Sequence, residues 1–498
     1  MSRFNTNNPL DSGHLNDFED NVKNLDQAVN SEEETWTDRF GKSRLSMFGS
    51  EENARAILSK AKLSETRAAS SASNASASAA NAAAVVTGGT ASLSPQAGRI
   101  PLANSEGKIS AGWIPLKGET GYSSEVGMTQ KAITEALNNL GRLTPYTGNY
   151  GIQWDSVNDT YQRLGSMNYT AIQSLMKRCV LNTDGSVNYF LHPQNSRYKE
   201  DGSFADLSGA DGNVMVQIPK FFVRFVSSEA GLKSVEVSLQ EEEGFVVHPA
   251  FIKGGVEVDY RYYRAYKATR VGGTLMSVSD TEPTRSTSIV NFRSQAEVNG
   301  EGWHLVDWNL NSAVLALCII EIGTLDTQSV LGDGNTAGSD NYGRITGVSN
   351  LIGNGSSDTS TGNQWMSYRG IEDLYAGVWE TVDGINIRDL EVFLNGDYRT
   401  FESNKFDGDY TSTGISLPVA NSSYIKDLSF SIDGFIPIEI GGSSATYAAD
   451  AMWSSVEGNR AIYKGGIAHH GRHAGGLCLN ANRSSGAALS NLGAGIAF

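Results

Sequence analysis

A chain of 498 residues exceeds one ordinary domain and predicts two to four. Abundant glycine, with Ser, Thr and Asn throughout, suits short strands joined by long loops. A net charge of −16 argues against a general nucleic-acid binder, and three dispersed cysteines (Cys179, Cys318, Cys478) argue against a disulfide framework or a zinc site.

The opening MSRFNTNNPLDSG has no basic region followed by an apolar core, so no secretory signal is expected. The best apolar run, Ala313 to Ile320, is too short to span a bilayer. Synthesis and folding in the cytosol are the expectation. Residues 1–50 are polar, and an acidic run, Glu32 to Glu34, leads into the basic, aromatic-bearing turn WTDRFGKSRLS.

Residues 51–86 carry a heptad-like seam: Ala54, Leu58, Ala61, Glu65, Ala68, Ala72, Ala75, Ala79, Ala82 and Val86. The spacing predicts a thin, multi-stranded coiled coil, with an Ala/Ser linker as the alternative because Ser and Asn are poor helix formers. Gly88-Gly89, Pro95, Pro101 and Pro115 then break helix, and single apolar anchors (Ile100, Leu102, Ile109, Trp113, Ile114) alternate with polar turns. Each anchor buries little within one chain, so partner chains are expected to complete the core. Gly121 to Leu137 reads as a short helix that Thr129 can cap and Gly141 ends.

From about residue 145 the composition becomes globular. Val214–Ile218, Phe221–Phe225, Val235–Leu239 and Val256–Tyr262 alternate as half-buried antiparallel strands. Asn291 to Gly300 and Asn311 to Gly323 read as helices, the second strongly apolar, with Ser312 as its candidate cap and Cys318 in the core. Tyr368 to Ile387, YRGIEDLYAGVWETVDGINI, is the stretch around which the domain is organised. It holds an Arg-Gly turn, a buried-type Trp379 in Gly-Val-Trp-Glu, and a second turn at Asp383-Gly384.

That stretch resembles the core of C-type-lectin-like domains, in the branch that includes the formylglycine-generating-enzyme fold and phage receptor-binding proteins. The blocks GFVVHPAF (Gly244 to Phe251), RYYRAYKA (Arg261 to Ala268), NFRSQAEVNGEGWHLVDW (Asn291 to Trp308), IIEIGTLDTQSVLGDG (Ile319 to Gly334) and the glycine-rich close from Gly475 follow in the order of those domains. The turn WTDRFGKSRLS and the segment AGRIPLANSEGKISAGWIP likewise resemble attachment and shaft segments of phage tail fibres. The resemblance implies a multidomain α+β chain: a virion-attachment segment (1–50), an Ala-rich coiled coil (51–86), a shaft with helical linker (87–144) and a C-type-lectin-like α+β head (145–498).

It further implies a homotrimeric tail-fibre protein of the virion, synthesised in the host cytoplasm. Its N-terminal segment would meet a tail or baseplate protein, and its head a host surface polysaccharide or outer-membrane protein, with no nucleic acid and no cofactor. The competing readings are a tailspike enzyme acting on surface polysaccharide and a connector docking another fibre. No G-x-S-x-G elbow, HExxH or Walker loop is present, and the reactive cysteine pair of the formylglycine-generating enzymes has no counterpart, so no catalytic residue is expected.

The loop Leu331 to Gly343 (Asp333, Asn335, Asp340, Asn341) lacks EF-hand spacing, and His469-His470-Gly471-Arg472-His473 reads as a surface loop before a metal site. After Glu457 the chain has no Asp or Glu but holds Arg460, Lys464, His469, His470, Arg472, His473 and Arg483. This reversal of sign marks a candidate receptor face, the alternative being that these cations neutralise acidic neighbours at a subunit contact. Asn480, Asn482 and Ser484 are suited to sugar hydroxyls, Tyr463 or Trp453 to stacking, and the cations to phosphate- or carboxylate-bearing glycan.

Overall fold

Apolar residues at alternate positions build strands here, because successive side chains point to opposite faces. The computed structural model describes residues 148–498, apart from 166–169, 337, 339–341, 343 and 360–363, together with residues 26, 29–30, 35–37, 43–45, 91–92 and 100–101. The chain forms two units, Met1–Leu143 and Thr144–Phe498. In the first, Thr35–Thr37 pairs antiparallel with Ser43–Leu45 across the WTDRFGKSRLS turn, and Ala91–Ser92 pairs parallel with Ile100–Pro101. The seam over 51–86, the helix over Gly121 to Leu137 and most of the attachment and shaft segments lie outside the described residues.

Three sheets dominate the second unit. A five-stranded antiparallel sheet runs in the order Val246–Val247, Phe222–Ser227, Leu232–Ser238, Tyr150–Asp155, Thr160–Gly165. A six-stranded sheet runs His304–Leu305, Ile496–Ala497, Tyr260–Arg264, Asn213–Pro219, Lys177–Leu181, Val187–Phe190. A nine-stranded sheet is centred on Trp379–Arg388, which pairs with Glu391–Leu394, with Asn459–Lys464 and, in parallel, with Leu492–Ala494. The C-terminal segment thus adds a strand to two sheets in succession.

Helix is sparse by comparison. Helix α1 (Ile289–Glu297), helix α2 (Trp308–Ile322) and the single turn α3 (Gln328–Leu331) are the α-helices of the described part of this unit. The expectation of an α+β chain is therefore corrected: the described structure is predominantly β, and no long coiled coil is found among the described residues. The physical reason is that apolar alternation recurs through most of the unit, whereas helical periodicity is confined to the segments around α1 and α2. Helix α2 is buried almost all round, between Tyr150–Asp155 and Leu232–Ser238 on one side and Trp379–Arg388 and Gly434–Ile440 on the other.

Two local expectations change. Asp307, not Ser312, caps α2, its Oδ1 accepting from the Leu310 N–H at 2.8 Å; the helix starts a turn earlier because Trp308 donates to the Asp433 carbonyl. Asp383-Gly384 is not a turn that ends the strand. Trp379–Arg388 continues through it with a bulge between Val382 and Asn386, which Gly384 (φ +71°) accommodates where a side chain would meet Phe401.

The sheets are tied together by an ionic cluster. Glu380, fully buried, accepts from Arg264 Nε at 2.8 Å, from Arg264 Nη2, and from Lys267 Nζ at 3.2 Å, with Lys464 Nζ 3.5 Å away. Arg264 comes from the six-stranded sheet, Glu380 and Lys464 from the nine-stranded one. Arg264 also donates to the carbonyls of Glu372 and Asp373, and Lys464 to that of Leu374. Burial by itself would raise the Glu380 carboxyl, but Arg264, Lys464 and Lys267 together hold it well below the usual range. Burial pushes Lys464 down to about 7 and Lys267 down as well, against the pull of Glu380. Gly495 makes room for the cluster, since a Cβ there would stand 2.4 Å from Glu380 Oε1.

Replacing Glu380 by Ala strands three buried cations, and we expect a loss of about 3–5 kcal/mol in urea unfolding. A loss below about 1 kcal/mol would show that the cluster does not hold the sheets.

Candidate functional site

Trp379 and Glu380 are neighbours on one strand and so face opposite ways. Glu380 enters the ionic cluster, while Trp379, 3% exposed, floors a small apolar cluster with Ala461, Tyr463, Ile467, Cys478 and Leu492. Trp453 packs edge-on against it at 5.4 Å between ring centroids. His470 lies flat on Trp453, with centroids 4.7 Å apart and planes 19° apart, and meets Trp379 at 5.2 Å.

The rings continue outward in both directions. His469 contacts His470 at 5.4 Å and Tyr342 at 5.7 Å. His473 contacts Trp453 at 6.1 Å and Tyr424 at 4.7 Å. Above the buried Trp379 lies a run of partly or fully exposed rings: Tyr342, His469, His470, Trp453, His473 and Tyr424.

The histidine-bearing loop is held from several sides. Gly465 N–H donates to the Cys478 carbonyl, Ala468 N–H to Gly377, and Gly471 N–H to Thr336. Gly476 N–H donates to Thr327 Oγ1 at 3.0 Å, and Leu477 N–H to the buried Asp450 Oδ2 at 2.7 Å. Gly377 (φ +77°) and Gly466 (φ +83°) supply left-handed backbone where the loop meets the Trp379 strand.

The structure brings together the rings of Trp453, His469, His470 and His473, whereas Arg472, on the same loop, is turned to Asp326. The fold separates others from them. Tyr463 is buried, its hydroxyl donating to the Ser484 carbonyl, so it offers no stacking face. Asn480 is buried beside Trp453 in register, and its Oδ1 accepts from Asn482 N–H. Asn482 is half-buried, whereas Arg483 and Ser484 are exposed at the far end of the strand Leu479–Arg483. Sequence reasoning missed Tyr342, from a distant loop, and Tyr424, from the strand Ser423–Ser431, neither of which carries a local signal.

The electrostatics differ from the sequence expectation. Lys464 belongs to the Glu380 cluster. Arg472 pairs with Asp326 and lies 3.9 Å from Asp333, and it donates to the Ser444 carbonyl. Arg460 donates to Ser455 Oγ and the Glu457 carbonyl. Burial, helped by His469 and His473, pushes the His470 imidazole down to about 4, and burial lowers His473. Two of the four cations read along the sequence, Lys464 and Arg472, are thus paired with carboxylates, and the surface at Trp453 and His470 is chiefly aromatic. Among the described residues no group of three or more His, Cys, Asp or Glu is placed to hold a metal ion.

No family model matches the chain, and no curated protein matches it. Among solved structures, the chain is similar to a major tropism determinant U1 variant, at 13% identity and a TM-score of 0.23, over 71% of this chain and 72% of that one.

Because its folded-state pKa lies below the ordinary value near 6.5, His470 resists a proton that the unfolded chain accepts. Its contribution to stability is present above about 6.5 and is lost as pH falls from there towards about 4. His470→Gln should therefore show a smaller drop in melting temperature between pH 7 and pH 4.5 than the parent chain. Equal drops would place the His470 ring in solvent.

Proposed function

We propose that this chain is a phage tail-fibre protein that mediates adsorption, binding a host surface receptor through the aromatic face around Trp453 and His470. The observation that carries the reading is the convergence of Trp453, His469, His470 and His473 on one surface, supported by the buried floor of Trp379. A partly exposed aromatic face on a firmly anchored loop is costly to leave in water, and it suits recognition better than fold maintenance.

In this reading the chain is a homotrimer of the virion. Its N-terminal segment meets a tail or baseplate protein, and its head meets a surface polysaccharide or an outer-membrane protein. The mechanism is adsorption without turnover: single heads bind weakly, and several on one particle act together through high effective concentration.

Purified full-length chain, added before infection, should block adsorption of the parent phage, and Trp453→Ala with His470→Ala should lose the block while keeping the parent's oligomeric state in sedimentation. Release of fragments or acetate from host polysaccharide would replace the binding reading by the enzymatic one. An unimpaired block by the correctly assembled double variant would remove this face from receptor binding.

A further inference from the structure

The ligand chemistry of this face is set by what its charges already do, and the inference rests on the adsorption reading above. The loop and strands that form the face bring four of the chain's Arg and Lys residues towards it. Lys464 is buried on Glu380, Arg472 is tied to Asp326, and Arg460 is turned to Ser455 and the Glu457 carbonyl. The fourth, Arg483, stands three residues beyond Asn480, which is the register partner of Trp453, and so roughly 10 Å along the strand. An anion placed on Trp453 would have to take Arg472 from its carboxylate or reach across to Arg483.

What remains at the surface is a flat double layer, His470 on Trp453, flanked by His469 and His473, whose outer edges are stopped by Tyr342 and Tyr424. The negative π-face of an aromatic ring attracts weakly positive C–H groups and excludes water from an apolar patch. His473 Nδ1 is already engaged with Ser422 Oγ at 3.2 Å, so that ring is fixed in orientation.

We propose that this face binds an uncharged sugar ring, whose C–H face stacks on the Trp453–His470 pair, and that it does not recognise phosphate- or carboxylate-bearing glycan. Arg472, tied to Asp326, is not offered to the ligand. Affinity per head is weak, and binding is almost independent of salt because no ion pair forms with the ligand.

The test is ligand-observed saturation-transfer NMR on the full chain, with methyl α-glucopyranoside, methyl β-galactopyranoside and N-acetylglucosamine as neutral probes and glucose 6-sulfate as the anionic one. At least one neutral sugar should receive saturation at its C–H face, unchanged when salt is raised from about 50 to about 500 mM. The signal should weaken about tenfold in Trp453→Ala and persist in Arg483→Ala. Should Trp453→Ala misfold, His470→Ala, checked by circular dichroism, takes its place. A sulfated sugar that binds better and is released by salt would overturn the proposal, as would silence from every neutral probe. Either result together with an intact adsorption block sinks this inference alone. Neutral-sugar binding without any adsorption block would sink the adsorption reading instead.

Discussion

One buried carboxylate organises the second unit. Glu380 draws Arg264, Lys267 and Lys464 into the interior, and charges taken out of water tolerate only a closely satisfied geometry. Arg264 and Lys464 also hold the carbonyls of Glu372, Asp373 and Leu374, which fixes a segment with an unusual backbone. Arg369, Asp373 and Ala376 all have positive φ, a conformation that costs of order 1–3 kcal/mol each and persists only where neighbours over-determine it. For Asp373 the cluster is that neighbour, whereas Arg369 is held by Ser356 and Glu321 and Ala376 by the Gly465 carbonyl. The cluster also fixes the end of the chain, because the passage of Gly495 beside Glu380 leads directly into the strand Ile496–Ala497.

The same strand carries this order to the surface. With Glu380 locked inward, Trp379 must point the other way, and the Trp453–His470 pair is built on it. The aromatic face therefore inherits the rigidity of the ionic cluster, with the loop bonds from Gly377, Thr327 and Asp450 setting its edges. A preorganised surface of this kind loses little entropy when a ligand arrives. That advantage matters most where each contact is weak and many act together.

The strands around Val214–Ile218 and Val235–Leu239 were legible in position from their apolar alternation, although they are buried on both faces rather than half-buried because they lie inside their sheets. Helix α2 was legible from its apolar run, although its cap was not, since the choice between Asp307 and Ser312 depends on where Trp308 anchors. The dominance of β structure was not legible from the resemblance, whose implied α+β architecture the described residues do not have. In the site, the histidine loop announced itself by composition. Its charge was misjudged because Lys464 looks like a surface lysine until Glu380, 84 residues earlier in the numbering, is seen beside it, and Arg472 looks like a free cation until Asp326 is. Sequence order lists charges, whereas pairing depends on contacts between distant segments. Tyr342 and Tyr424 were invisible for the same reason.

The central claim is that receptor engagement occurs on the rings above Trp379. Hydrogen–deuterium exchange of the full chain, with and without surface polysaccharide purified from susceptible cells, tests it most directly. The account predicts protection confined to the segments that carry the rings, around Tyr342, Tyr424 and Trp453 and through residues 465–484, with the rest unchanged. Protection centred elsewhere, for example on the hairpin where Phe204 stands 79% exposed against Tyr198, would contradict it.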